Sequence, residues 1–505
     1  MRGIPSLITD IRKKVFTEVA RMAYSGADYT AAEDLPYVIV PGDQPLHRES
    51  IFLERAIAGE RVRLAMGLSV RSIQTRSLMT DGMDHAAIAE SYYEPPLINI
   101  IPYACHSCPT KQYWVSQEVC QNCLAASCQK VCPKGAINVV NGKSRIDKSK
   151  CIRCGKCAAA CPYHAITLLE RPCESACGMD AISPGPDGRA QINQDKCVAC
   201  GQCLVSCPFG AIVDKSQIYQ VVRSIVEGNE AIAILAPAFA GQFAKNCTFE
   251  RLSAALKQLG FAAVEEVAVG ADICTIEEAK DFLEKVPNKQ PFMATSCCPA
   301  WHSMVHKLFP QQADYISMTL TPMVFTARML KKQHPEAKIV FVGPCAAKKL
   351  EAIRENIRSD VDFVLTFEEL QGMLEAKEIR FSDLESDSVA PESSAAGRGF
   401  AVSGGVAKAV MDLVHEEHPD LEIKTANAEG LRNCRKMMTL AKAGKYNGYL
   451  LEGMACPGGC VAGAGTILSL DQANKAVAAY CDSSAIRSPS QSKYSATGKS
   501  LEEET

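Results

Sequence analysis

Apolar residues recur at helical spacing across Leu7–Met22, with basic residues on the opposite face, and a second helix is predicted over His47–Met66. Residues 1–100 carry no evident chemistry and read as a helical N-terminal segment offering a packing surface or lid. From residue 216 the pattern changes. Short β-rich runs alternate with helical stretches: Ala231–Leu235, Ala263–Val269, Lys338–Val342, Val361–Leu365 and Gly448–Leu451. Among the helices, Thr248–Leu259 has Thr248 as its cap and Gly260 as its stop. Strands alternating with helices predict an α/β domain with a largely parallel sheet over 216–481. Residues 386–399 read as a loop, and 482–505, polar and Ser-rich with an acidic end, as a disordered tail. The longest apolar run, Ala231–Ala240, is about half of what a spanning helix needs. The N-terminus lacks an apolar signal core. The expectation is a cytoplasmic chain with no membrane partner.

Between these regions, residues 101–215 repeat. Four segments end alike, in Cys132-Pro-Lys-Gly-Ala-Ile, Cys161-Pro-Tyr-His-Ala-Ile, Cys177-Gly-Met-Asp-Ala-Ile and Cys207-Pro-Phe-Gly-Ala-Ile. Each unit is too small for an apolar core of its own, so bound metal must staple it. Composition sharpens this reading at one point only. Of 505 residues, 47% are apolar and 22% charged, which is ordinary, and the net charge of −3 offers nothing to nucleic acid. Cysteine is the exception. There are 25, none before residue 101 and sixteen between Cys105 and Cys207. A disulfide scaffold is short and secreted, whereas this chain is long with an odd cysteine count, so metal ligation is the reading.

Cys151-x2-Cys154-x2-Cys157-x3-Cys161-Pro is the bacterial ferredoxin run, and Cys197-x2-Cys200-x2-Cys203-x3-Cys207-Pro repeats it. Three thiolates on one tight loop grip three irons of a 4Fe–4S cube, and the fourth cysteine serves the partner cube. Cys120-x2-Cys123-x4-Cys128-x3-Cys132-Pro is a variant with a longer loop. The spacings suggest two modules. In the first, Cys120, Cys123 and Cys128 pair with Cys161, and Cys151, Cys154 and Cys157 with Cys132. In the second, Cys197, Cys200 and Cys203 take Cys177, and Cys173 and Cys207 are completed by Cys105 and Cys108. Sixteen cysteines then make four clusters. If Cys105, Cys108, Cys173 and Cys177 are partly structural, three remain. A chain of clusters conducts electrons but does not say what is reduced.

Downstream, three segments follow or end predicted strands: Thr295-Ser-Cys297-Cys298-Pro-Ala-Trp301, Gly343-Pro-Cys345-Ala-Ala-Lys348-Lys-Leu-Glu351 and Glu452-Gly-Met454-Ala-Cys456-Pro-Gly-Gly-Cys460. Strand ends in an α/β sheet are where ligand sites gather. Cys298, Cys345, Cys456 and Cys460 are four thiols for one further cube.

These three segments, in order behind ferredoxin repeats, resemble the signature motifs of the FeFe (iron-only) hydrogenases: TSCCPxW, PCxxKxxE and MACxxGC. The resemblance spans residues 100–480. It implies an FeFe-hydrogenase-like α/β catalytic domain preceded by α+β ferredoxin-like modules and the helical N-terminal segment. It also implies reversible interconversion of H2 with protons and electrons, supplied by ferredoxin or a similar low-potential carrier. The implied cofactor is an H-cluster: a 4Fe–4S cube on Cys298, Cys345, Cys456 and Cys460, bridged through Cys460 to a diiron unit with CO, cyanide and a dithiolate amine. Maturases would load that unit. By the same resemblance Cys297 relays protons, Lys348 holds a cyanide, and Met454 packs on the bridging carbonyl. Pro237 and Ala238 lie beside a cyanide, and Glu278, Asp281 and Ser317 continue the proton path. Rival roles exist for several. Thr275-x-x-Glu278 reads as a capping box opening a helix through Val286, Asp281 as a solvated carboxylate and Lys349 as a surface lysine. Ser403-Gly-Gly405 reads as packing.

The chain departs from the family pattern at Ala238, Gly343, Met323 and the Val461–Thr466 stretch, which suggests a divergent subgroup with an altered surround to the metal site. Cys247, Cys274, Cys434 and Cys481 read as buried thiols. Two non-catalytic alternatives share the resemblance: iron–sulfur assembly factors and sensory proteins.

Overall fold

The computed structural model describes residues 3–86, 94–244, 247–354, 357–388 and 392–502. The first helix, α1 (Leu7–Tyr24), opens on a capping box between Ser6 and Thr9 and buries Val15, Phe16, Val19, Ala20 and Ala23. The second, α2 (Ile51–Ala65), begins later than the pattern predicts. The carboxylate of Glu54 takes the N–H groups of Leu46, His47 and Arg48, which folds that stretch into the turn before the helix.

Residues 98–214 form pairs of short antiparallel strands. Gln112–Val115 pairs with Ile166–Leu169, and Ile137–Val140 with Lys143–Ile146. Ile182–Pro184 pairs with Ala190–Ile192, and Ile98–Ile100 with Ile212–Asp214. The outer unit has a small core of its own, Val115, Cys120, Ile137, Cys157, Ala165 and Ile166. The inner unit shares the main core through Ile182, Ala190, Ala199 and Cys203.

The remainder is α/β. In chain order its elements are β1 (Ala231–Leu235), α3 (Phe249–Leu259), β2 (Ala263–Glu266), α4 (Val267–Lys285), β3 (Met293–Ala294) and α5 (Pro299–Leu308). Then follow α6 (Pro322–Gln333), β4 (Lys338–Gly343), α7 (Ala346–Ala352), β5 (Phe363–Thr366), α8 (Phe367–Ala376) and α9 (Ala395–Gly399). The last are α10 (Gly405–Glu417), β6 (Lys424–Glu429), α11 (Leu431–Lys442), β7 (Tyr449–Met454), α12 (Leu470–Asp482) and α13 (Gly498–Glu502). Two parallel sheets result, in the orders β2-β1-β4-β5 and β3-β7-β6. All five residues of β1 are buried, as a strand covered on both faces requires. Helix α1 packs against α8 so closely that a Cβ on Gly372 would overlap Phe16.

Several expectations are corrected. The run Ala263–Val269 is not one strand: β2 stops at Glu266, whose carboxylate is held by Arg398 and Ser393, and Val267 already belongs to α4. The stretch 386–399 contains α9, capped by Ser394; residues 389–391 lie outside the described residues. The segment from 482 to 502 is folded rather than disordered. Leu501 is fully buried and its carbonyl accepts from Arg328 Nη1 at 2.8 Å. Ser488 and Ser490 donate to the Glu416 carboxylate at 2.6 and 2.7 Å. Hydroxyl contacts hold it, which apolar patterning does not reveal. The end, 503–505, lies outside the described residues. Among the described residues no helix is long and apolar enough to cross a membrane.

Candidate functional site

Parallel strands deliver their C-terminal ends to one edge, and here that edge is a cavity. Past β1 come Pro237 and Ala238, past β3 Cys297 and Cys298, past β4 Cys345, and past β7 Cys456 and Cys460. All of these line one cavity with Lys348, Met323, Met454, Phe341 and Cys200. Cys298 sits at the N-cap of α5, and its sulfur accepts from Ala455 N at 3.5 Å. Such a position favours negative charge on sulfur. Burial opposes it, pushing Cys345 up to about 11 and Cys460 higher still. Cys345 and Cys460 therefore stay protonated near neutral pH until a cationic group displaces the protons.

Lys348 lines the cavity, donates to Thr321 Oγ1 (3.2 Å) and forms an ion pair with Glu351 Oε2 (2.6 Å), which leaves a donor free. Thr321 donates to Glu351 Oε1 at 2.6 Å, so the pair is braced from outside the cavity. Lys349 is not a surface lysine. It is fully buried and bonds Asp214 Oδ2 (2.8 Å), Glu369 Oε1 (2.7 Å) and the Lys215 carbonyl (2.7 Å). The departures at Gly343 and after Cys460 have steric reasons. A Cβ on Gly343 would overlap the Phe341 ring, which fills that wall instead. Ala464 meets Gly201 of the inner ferredoxin loop, and a Cβ on Gly463 would overlap the Pro344 carbonyl. The Ser403-Gly-Gly405 stretch is packing: Gly404 N and Ala407 N hold the Glu452 carboxylate at 2.7 and 2.8 Å.

Cys297 faces the cavity, and its thiol is pushed well up by burial first and by Glu278 and Glu452 next. Glu278 is not a cap residue. Helix α4 begins eleven positions earlier, and Thr275 donates within the helix to the Ala271 carbonyl at 2.8 Å. Glu278 is fully buried, accepts from Ser296 N at 3.4 Å on Oε1, and leaves Oε2 without a partner. Burial raises it to about 8, with Glu452 and Asp281 adding like charge, while the Ser296 N–H and the nearby Ser317 hydroxyl favour the charged form. Asp281, half-buried, pairs with Lys285 at 2.7 Å. Cys297, Ser317 and Asp281 thus all lie about Glu278.

The ferredoxin cysteines also gather. Cys120, Cys123, Cys128 and Cys161 line one cavity, and Cys177, Cys197, Cys200 and Cys203 another. Cys132 and Cys151 act on Cys157, and Cys105 and Cys207 act on both Cys108 and Cys173. The exposed Cys154 follows on the Cys151 loop. Backbone repeats with the sequence. Asn122, Arg153 and Ala199, each two past a loop's first cysteine, have positive φ. So do Gly135, His164, Asp180 and Gly210, each three past Cys132, Cys161, Cys177 and Cys207. Left-handed non-glycine residues are strained, and their recurrence at equivalent places marks a shared demand of the site. Among the described residues no three His, Cys, Asp or Glu groups converge tightly enough for a single ion. A cube spreads its ligands wider than zinc does.

One participant left no signal in the sequence: Gln202, whose Nε2 donates to Cys456 Sγ at 3.2 Å. Two motif residues take places the sequence did not indicate: Cys200 lines both its own cavity and the large one, and Glu452 sits near Cys297. Of the remaining cysteines, Cys247, Cys274 and Cys434 are buried, whereas Cys481 is half-exposed.

Comparison with known proteins agrees with this layout. Residues 229–464 match the family described as iron only hydrogenase large subunit, C-terminal domain, and 112–162 and 150–211 match 4Fe-4S dicluster domains. Iron hydrogenase 1 of Clostridium pasteurianum is 29% identical over 73% of this chain and 73% of its own. The periplasmic Fe hydrogenase large subunit of Nitratidesulfovibrio vulgaris is 29% identical over 64% of this chain and 85% of its own. A probable cytosolic Fe-S cluster assembly factor of Aedes aegypti is 29% identical over 43% and 56%. The solved FeFe-hydrogenase HydA1 of Chlamydomonas reinhardtii aligns at 21% identity and a TM-score of 0.47, over 57% of this chain and 93% of that one.

Proposed function

We propose that this FeFe hydrogenase-like protein interconverts H2 with two protons and two electrons at an H-cluster, exchanging electrons with ferredoxin or a similar low-potential carrier. One observation carries the reading: four thiols and a fifth, Cys297, open into one apolar cavity, and behind Cys297 stands a buried carboxyl raised to about 8. The residues fit the group. Cys298, Cys345, Cys456 and Cys460 supply the cube's ligands, Lys348 has a donor left for a cyanide, and Met454, Pro237 and Ala238 give the apolar wall. When bound, the cofactor supplies the iron at which hydrogen is split and a basic amine beside it.

The chain's own residues do the rest. Cys297, protonated at rest, hands a proton between cavity and Glu278. Glu278, poised near neutrality, exchanges it with the Ser317 hydroxyl, and Asp281 carries it towards solvent. The apolar wall keeps water from short-circuiting that path. The ligand sets grouped above would hold four accessory 4Fe–4S clusters, which would supply electron transfer. Cys200 lines two neighbouring cavities and would stand between the inner accessory cluster and the catalytic cube.

The outer module supports an acidic carrier. Residues 111–169 hold nine Lys and Arg against Glu118 and Asp147, a formal +7 in a chain of −3. Lys130, Lys134, Arg145, Lys148, Lys150, Arg153 and Lys156 are exposed, as are Leu124 and Ile152. A surplus of exposed cations steers a negatively charged partner. A cytoplasmic setting and dedicated maturases belong to the same reading. Anaerobically matured protein is expected to show infrared bands of iron-bound CO and cyanide. A full cube complement without those bands would assign the chain to the assembly or sensory class.

A further inference from the structure

The N-terminal segment and the inner ferredoxin unit bury positive charge at one place. Arg61, on α2, is 7% exposed and donates Nη2 to the Gly210 carbonyl at 3.1 Å, three residues past Cys207. Arg171, two residues before Cys173, is 2% exposed and donates Nη2 to the Cys108 carbonyl at 3.0 Å and the Gly188 carbonyl at 2.6 Å. Arg48 reaches the Ala104 carbonyl, next to Cys105, at 3.3 Å. Arg61 Nε and Arg171 Nε and Nη1 are buried N–H groups without a partner. Among the described residues neither Arg61 nor Arg171 has a carboxylate in an ion pair.

A buried guanidinium without a counter-charge is costly. Burial and the charges of Arg12 and Arg48 all pull Arg61 down, to about 10, and Cys207 opposes them. Arg171 acts in the same sense on Cys108 and Cys173. The anion these arginines face is therefore whatever Cys105, Cys108, Cys173 and Cys207 hold together. A cube on four thiolates is negative and becomes more so on reduction. A fixed cation in a poorly polarisable surround stabilises the reduced form most. The basic residues of the outer module are exposed, apart from the half-buried Lys143 at the Cys120 carbonyl, and none is fully buried, so water screens them.

We infer that Cys105, Cys108, Cys173 and Cys207 hold a 4Fe–4S cluster whose charge is balanced by the buried Arg61 and Arg171, which makes it the most easily reduced accessory cluster and an electron-holding site. This rests on the ligand sets given under the proposed function. One electron passes in from the neighbouring cluster of Cys177, Cys197, Cys200 and Cys203 and the same electron passes back; Cys173 acts on Cys203 across that boundary. No bond forms or breaks. The N-terminal segment thereby has a role: it brings Arg61, and Arg48 beside it, over this cluster.

The test is potentiometric electron paramagnetic resonance on the full chain reconstituted anaerobically with iron and sulfide, which needs no diiron unit. One accessory signal is expected to titrate above the others. Arg171→Gln or Arg61→Gln should lower that signal alone by about 59 mV or more, a tenfold change for one electron. Arg171→Lys, which keeps the charge, should move it less. Iron sufficient for only three accessory cubes would defeat the ligand sets on which the inference stands. Four cubes with no selective shift would overturn the inference and leave those sets intact. Loss of one cube in both the Gln and Lys variants of Arg171 would make the arginine a loop brace, and would also overturn it.

Discussion

Glu278→Gln separates proton transfer from stability, because the two are expected to move in opposite directions. The carboxyl is fully buried and raised from 4.5 to about 8 by that burial. An acid whose folded value is raised binds an extra proton on folding, between about pH 4.5 and 8. Its contribution is thus neutral below that window, and the fold loses stability as pH rises through it. At about 1.4 kcal/mol per unit, holding the proton at pH 7 costs the fold roughly 3 kcal/mol. Glutamine cannot ionise, and its carbonyl can still accept from Ser296 N. The variant should match the parent's denaturant midpoint in mild acid and exceed it near neutrality, by up to that amount. Turnover should fall by ~10² or more, the usual yield of a positioned acid–base group. Hydrogen evolution with reduced carrier and anaerobic unfolding curves, each across pH, read both. Turnover within a few-fold of the parent, or a variant less stable than the parent at neutral pH, would refute the reasoning.

Cys297→Ser should keep the full iron and sulfide content while turnover falls by ~10² or more, since a hydroxyl is a far weaker acid; loss of iron would place Cys297 among the ligands instead. Lys148→Glu with Arg153→Glu should raise KM for an acidic carrier at low salt, by about tenfold, and leave turnover with a small uncharged dye unchanged; an unaltered salt dependence would remove the outer module as the docking end. Lys349→Met should destabilise the protein by about 3–5 kcal/mol, because Asp214 and Glu369 would remain as buried charges. A denaturant midpoint equal to the parent's would contradict the buried ion cluster.

What the sequence showed and what it hid follow from the range of the interactions. Cysteine spacing and the three strand-end motifs are local, so the cavity wall and the ferredoxin loops were legible, down to the cap at Thr248 and the stop at Gly260. Strand β6, Lys-Thr-Ala-Asn-Ala-Glu, pairs only with β7 and has no apolar alternation to reveal it. Thr275-x-x-Glu278 has the letters of a capping box, but α4 had already begun, and a burial set by distant chain turned the glutamate inward. Lys349 and Arg61 look like ordinary surface cations in sequence. Their partners are Asp214 and the loop after Cys207, far along the chain. Gln202 carries no signal because its role depends on how the inner ferredoxin loop meets β7.

The account stands most directly on exchange between deuterium gas and water by the matured protein, handled without air and with no electron carrier added. Heterolytic splitting with a proton outlet through Cys297 predicts HD first and then H2, and it predicts that Cys297→Ser suppresses both while the iron content is unchanged. Fully loaded protein that forms no HD would contradict the claim that this cavity turns hydrogen over.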